Sequence, residues 1–293
     1  MIETTLSFSL ITIKDKHMIE KILLADSGTG HTEEMLKALM EISSIKRASV
    51  HVLHVVPPQV NADEMTAKWE EGGKFLATAI QNLQLDPSHV NGMLRQGDPK
   101  TIVCQVAEEI QADLIIMGSR GLKRLESILE NSVSQYVFQL SNRPMLLVKD
   151  DIYVKKLNKI MVALDASEAA KQCLKLALFL LRDIKGGQLI FAHVNAKGQE
   201  TPSAIESALK TAADEAKKLG ISTKTIGASG NVGEQICVLA EENNVDLLML
   251  GSPDRRPSIA RALPDLDRLL GTSLSDYVRV YAPCPVLLAR TVS

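Results

Sequence analysis

The chain has 293 residues, and at ~150 residues per domain that length points to two cores rather than one. A net charge of −2 with scattered basic residues excludes the electrostatic footprint of a nucleic-acid binder, and no apolar run reaches the ~18 residues a membrane span needs. Aromatics make up 3% of a composition that is 45% hydrophobic, so the cores must be built from Leu, Ile, Val, Ala and Met. The four cysteines, Cys104, Cys173, Cys237 and Cys284, form no C-x-x-C pair and read as small buried residues of a reducing compartment; the cytoplasm is the expected location.

Along the chain, residues 1–17 carry an apolar stretch at 6–13 without leading positive charges or a small-residue cleavage site. They are read as an extension, or the product of an early start codon, ahead of a first domain beginning at Met18. Short continuous apolar runs then follow at 21–25, 49–56, 90–94, 114–117 and 145–148. Continuous rather than alternating runs predict parallel strands covered on both faces. Amphipathic stretches at 32–42, 62–83, 99–110 and 128–140 predict the intervening helices. His51 and His54 fall in one strand three apart, hence on opposite faces, which argues against a shared metal. A short polar linker is expected at 149–158, and second-half helices at 169–181, 203–219, 233–243 and 266–280.

The second half repeats the first. Lys21-Ile-Leu-Leu-Ala-Asp26 matches Lys159-Ile-Met-Val-Ala-Leu-Asp165, and His54-Val55 matches His193-Val194. Asp113-Leu-Ile-Ile-Met-Gly118 matches Asp246-Leu-Leu-Met-Leu-Gly251, and Ser132-Val-Ser-Gln-Tyr-Val137 matches Ser273-Leu-Ser-Asp-Tyr-Val278. Arg143-Pro-Met-Leu-Leu-Val148 matches Cys284-Pro-Val-Leu-Leu-Ala289. Five matches in one order establish a duplication. The expected organisation is an extension at 1–17 and domains at 18–152 and 153–293, each an α/β unit with an open, doubly wound parallel sheet. Such sheets bind ligands outside the carboxyl ends of their strands.

Three strand ends converge on that crevice. The first carries Ala25 and Asp26. A carboxylate there can accept hydrogen bonds from ribose hydroxyls, or cap the following helix. The second carries Val55, which could back an adenine ring or serve as core. The third is more specific: Met117 ends a buried run, Gly118-Ser-Arg120-Gly121 follows, and Asn131-Ser132-Val133-Ser134 opens a helix. Glycines admit a phosphate close to the backbone, and amides at a helix start point at an anion.

The string Asp-Leu-Ile-Ile-Met-Gly-Ser-Arg-Gly at 113–121, the Ser-Val-Ser at 132–134 and the Arg-Pro or Cys-Pro strand resemble the universal stress protein family, over both halves from about Met18 to Arg290. The resemblance implies a Rossmann-like fold of the adenine nucleotide alpha-hydrolase type, with the two domains paired through their last strands about a pseudo-twofold axis. It also implies an adenine nucleotide, ATP or AMP, with or without Mg. In ATP-binding members the signature is Gly-x2-Gly-x9-Gly followed by Ser or Thr. Carried over, that assigns Ala25, Asp26, Val55, Met117, Gly118, Arg120, Gly121, Asn131, Ser132, Val133 and Ser134 as the site of the first domain.

Both halves depart from the signature. In the first, Asn131 replaces the third glycine, a mild loss because Asn tolerates left-handed backbone angles, and Gly28 stands where the family usually has Ser. In the second, Asp254 replaces the second glycine, Pro253 lacks a donor, Thr272 fills the third slot, and the loop is longer. It carries Arg255, Arg256, Arg261 and Arg268, which read as a solvated surface. The expected function is a nucleotide-binding regulatory module with its site kept mainly in the first domain. The rival is an interaction protein with vestigial sites. No nucleophile–base pair or paired carboxylates are evident, so an enzyme is not expected beyond slow ATP hydrolysis or self-phosphorylation at Ser132 or Ser134. A homodimer and an unknown protein partner are left open.

Overall fold

The computed structural model describes residues 18–27, 31–119, 132–165, 167–195, 203–252 and 274–290. The first repeat runs β1 (Lys21–Ala25), α1 (Thr32–Met40), β2 (Ser49–Val56), α2 (Ala62–Leu83), β3 (Val90–Gln96), α3 (Pro99–Glu109), β4 (Leu114–Ser119), α4 (Val133–Leu140) and β5 (Met145–Lys149). The second runs β6 (Lys159–Ala163), α5 (Glu168–Leu181), β7 (Gln188–Asn195), α6 (Ser203–Lys218), β8 (Ser222–Ser229), α7 (Val232–Glu242), β9 (Leu247–Ser252), α8 (Leu274–Tyr281) and β10 (Val286–Arg290). Helix starts are set by short polar caps: the Asn61 side chain accepts from the Glu64 amide, and Asp98 accepts from Lys100 just ahead of Pro99. The helix segments expected at 128–131 and 266–273 lie outside the described residues.

All ten strands form one sheet in the order β3-β2-β1-β4-β5-β10-β9-β6-β7-β8. Every pairing is parallel except the central one, where β5 and β10 run antiparallel. Strand alternation splits the core. Ile22 and Leu24 face the layer of α1, α2, α5 and α6, whereas Leu23 and Ala25 face that of α3, α4, α7 and α8. No described helix is long and apolar enough to cross a membrane.

The order reads the same from either edge when repeat-equivalent strands are exchanged. At the junction Leu146 pairs with Leu287, flanked by Leu147 with Val286 and Met145 with Leu288. Leu146 and Leu287 are repeat equivalents, so a pseudo-twofold axis passes between them. Two buried cations close the junction reciprocally. The Lys149 ammonium on β5 donates to the carbonyls of Val280 (2.6 Å) and Ala282 (2.5 Å) at the end of α8. Its equivalent, Arg290 on β10, donates to the carbonyl of Phe138 near the end of α4 and lies 4.1 Å from that ring. Each cation thus satisfies carbonyls at a helix C-terminus of the other repeat, where the helix dipole also favours positive charge. Burial holds the Lys149 ammonium below the usual lysine range.

Two expectations need correction. Lys149 is not linker: it is the last, buried residue of β5, and the connection starts at Asp150. Nor is β3 covered on both faces. As a sheet edge it leaves Asn91, Gly92 and Gln96 exposed, and its equivalent β8 is more exposed still. Asp113 and Asp246, which begin the best-matched repeat motif, lie at the end of the sheet away from the crevice. Each carboxylate accepts two backbone amides, from Glu20 and Lys21 (2.9 Å each) and from Asn158 and Lys159 (2.8 Å each), tying β4 to β1 and β9 to β6.

Candidate functional site

The connection from β1 goes through α1 to β2 on one side, while β4 lies on the other side of β1, so the order reverses between β1 and β4. This switch point is where an open α/β sheet presents its crevice. Ala25 pairs with Met117 across it and with Leu53 on the other flank. Asp26 follows directly, 7% exposed, its amide held by the Leu53 carbonyl at 3.0 Å and its carbonyl 3.1 Å from Nδ1 of His54. Asp26 does not cap α1; the N-cap residue is His31, without a side-chain cap. Ala25, Met117, Val55 and Val133 all pack on the layer containing α3 and α4, so these four share one face of the sheet end. Arg120, Gly121 and Asn131, with Gly28, lie outside the described residues.

At α4 the Ser132 hydroxyl accepts from the Gln135 amide (3.1 Å) and lies 3.4 Å from the Ser134 hydroxyl. The Ser132 carbonyl takes the Tyr136 amide. Val133 and Ser134 are therefore the first-turn amides without an acceptor among the described residues. Beside them is a residue the sequence reading passed over. Ser119 ends β4, is 8% exposed, and its hydroxyl has no hydrogen-bond partner among the described residues. A buried hydroxyl left unpaired costs about 1–3 kcal/mol, so such an atom invites a partner from outside the chain. The clue was the Gly-Ser pair repeated at 118–119 and 251–252.

In the second repeat Leu164, not the matched Asp165, takes the place of Asp26: its amide is held by the Ala192 carbonyl at 2.9 Å and its carbonyl lies 2.9 Å from Nδ1 of His193, while Asp165 follows it and is exposed. The gap at the strand end is also closed there: the Ser275 hydroxyl donates to that of Ser252 at 3.3 Å, both buried. Asp165 accepts from the Ser167 amide at 2.9 Å, and Ser167 caps α5. The loop from Pro253 to Ser273, with Asp254 and the four arginines, lies outside the described residues.

Paired carboxylates, absent from the sequence reading, do occur. Glu33 on α1 interacts with Asp26. Burial first, and then the Asp26 charge, push the Glu33 carboxyl above its ordinary 4.5, while a hydrogen bond from Asn82 opposes them. In the folded chain Glu33 therefore resists ionisation, and its stabilising contribution is present below pH 4.5 and lost as pH rises through the raised value. Glu33→Gln is expected to raise the thermal midpoint at neutral pH, with the gain vanishing below pH 4.5. Melting curves across that range check this, and an equal gain at both ends would refute the coupling. Among the described residues no three His, Cys, Asp or Glu side chains gather as metal ligands.

The fold is thus that of a tandem, doubly wound α/β protein with one strand-end crevice per repeat. Comparison with known proteins agrees: the Universal stress protein family model matches residues 18–149 and 156–290, and the chain belongs to that family. A universal stress protein of Methanocaldococcus jannaschii is 40% identical over 155 residues, covering 45% of this chain and 96% of its own. One from Bacillus subtilis is 26% identical over 148 residues, covering 45% of this chain and all of its own. Each such relative is the length of one repeat. The crystal structure of a universal stress protein from Archaeoglobus fulgidus superposes with a TM-score of 0.73 at 25% identity, covering 94% of this chain and 98% of that one. The two-repeat architecture therefore has a full-length structural counterpart.

Proposed function

We propose that the chain is a cytoplasmic regulatory protein that binds one adenine nucleotide, ATP or AMP, at the β1–β4 switch point of the first repeat. Asp26 accepts the ribose hydroxyls and Val55 backs the base. The phosphates face the Val133 and Ser134 amides and the hydroxyls of Ser119, Ser132 and Ser134, with Gly118, Arg120, Gly121 and Asn131 supplying the intervening loop. The observation that carries this reading is the asymmetry of two equivalent serines: Ser119 is buried without a partner among the described residues, whereas Ser252 is bonded to Ser275. The first repeat has donors to offer and the second has spent them internally. The Asp26–Glu33 pair fits the same orientation, since two carboxyls repel phosphate but accept sugar hydroxyls.

Titration of the full-length chain with fluorescent ATP tests the assignment. Asp26→Ala should weaken binding by about tenfold or more, the ~1.5–3 kcal/mol of a hydrogen bond to a charged group, while Asp165→Ala leaves it unchanged. The reverse pattern would place the site in the second repeat. No binding by the unaltered chain would favour the rival reading, an interaction protein with vestigial crevices.

A further inference from the structure

A buried cation lies beside the crevice of the first repeat, and no described residue neutralises it. β4 and β5 are parallel neighbours whose register sets Lys149 directly against Ser119. Two residues back on these strands, Met117 and Leu147 both belong to the core layer of α3, α4, α7 and α8. Strand alternation turns Ser119 and Lys149 to that same face, on strands about 4.8 Å apart. Both are buried, at 8% and 3% exposure.

The Lys149 ammonium donates to the Val280 and Ala282 carbonyls and has a further N–H to give. A helix end carries roughly half a unit of negative charge, so a net positive charge remains. Among the described residues no carboxylate reaches ion-pairing distance of Lys149. Asp151, on the exposed connection, acts on it only from farther off. Nor do the neighbouring thiols compensate it. Burial pushes Cys237 up to about 11 and Cys284 up to about 12, so both stay protonated at neutral pH.

A buried cation is costly until an anion pairs with it. Here it stands next to the Ser119 hydroxyl, which also has no partner among the described residues. An uncompensated charge and an unused donor, side by side at the carboxyl end of the sheet, are complementary to an oxyanion. The equivalent place in the second repeat is engaged from within the chain. β9 and β10 set Arg290 against Ser252 in the same way. There Ser275 bonds the Ser252 hydroxyl, and the Arg290 guanidinium lies on the Phe138 ring while donating to the Phe138 carbonyl.

We propose that Ser119 and Lys149 form the floor of an anion subsite holding a phosphate of the nucleotide at the β1–β4 switch point. The subsite deepens the nucleotide reading and takes its ligand from it. Ser119 gives a hydrogen bond, and Lys149 gives attraction through a floor of low dielectric. The α8 carbonyls fix the ammonium, so the second repeat orients a charge that serves the crevice of the first.

Calorimetric titration of the full-length chain with ATP and, separately, adenosine tests this. Lys149→Met should weaken ATP by about tenfold or more and leave adenosine unchanged, whereas Lys149→Arg regains most of the loss. Ser119→Ala should weaken ATP in the same sense. Melting curves establish that Lys149→Met folds. If it does not, the Lys149 ammonium resonance of the unaltered chain decides, assigned through its loss in Lys149→Arg. It should shift with ATP and with inorganic tripolyphosphate but not with adenosine. Equal losses of ATP and adenosine, an unchanged ATP affinity in folded Lys149→Met, or a resonance indifferent to both anions overturns the proposal. Failure of the unaltered chain to bind ATP or adenosine would overturn the nucleotide reading instead, with the tripolyphosphate response still deciding the subsite.

Discussion

Gly251→Ala is expected to destabilise the chain by about 3 kcal/mol, at the upper end of what overpacking costs. A Cβ at this position would lie 2.3 Å from the Ala169 carbonyl carbon, 2.4 Å from the Ala170 nitrogen and 2.6 Å from the Ala169 oxygen. All three obstacles are backbone, so no side-chain rotation relieves them; α5 would have to lift off the end of β9. The glycine that opens the loop signature thus serves the fold of the second repeat, by letting the first turn of a helix rest on a strand. Its retention beside Asp254 and Thr272 follows, because the packing demand survives whether or not a phosphate is bound. Urea unfolding of the full-length variant measures the loss. A change below about 1 kcal/mol would show that α5 shifts freely.

The second large effect concerns the axis of the molecule. Leu146 and Leu287 are both fully buried and face each other where β5 meets β10. Truncating a buried leucine to alanine costs about 2–5 kcal/mol, set by how far the site collapses. Because the two leucines are repeat equivalents on a pseudo-twofold axis, Leu146→Ala and Leu287→Ala should cost similar amounts. In contact, they should also couple, so that the double variant differs from the sum of the singles by about 0.5–3 kcal/mol. A double-mutant cycle in urea checks both points. Strictly additive losses would mean that the two repeats meet without sharing a core.

How far the sequence disclosed this fold depended on whether a feature was local or duplicated. The bounds of β1, β2 and α2 agree with the pattern reading residue for residue, because apolar runs bounded by a capping Asn61 or a terminal Asp26 are local signals. Pairing of the last strands was also foreseeable, since an apolar edge such as β5 must be covered. The exposure of β3 was not. An edge position is a property of strand order, and Val90, Met93 and Leu94 read as core until their place in the sheet is known. Lys149 likewise looked like linker, since a lysine is buried only when acceptors are waiting, here carbonyls more than 130 residues away.

The crevice divides the same way. Asp26 and Ser132 could be picked out from the motif, although the repeat match of Asp26 to Asp165 was one residue off, whereas the Asp26–Glu33 contact and the Ser119 hydroxyl, unpartnered among the described residues, arise only when β4 and the start of α1 are brought beside β1.

One measurement bears most directly on the central claim, that a single adenine-nucleotide site survives, in the first repeat. Native mass spectrometry of the intact chain with excess ATP should show one added nucleotide per chain, and none in Asp26→Ala. Two nucleotides per chain, or one that persists undiminished in Asp26→Ala, would contradict it.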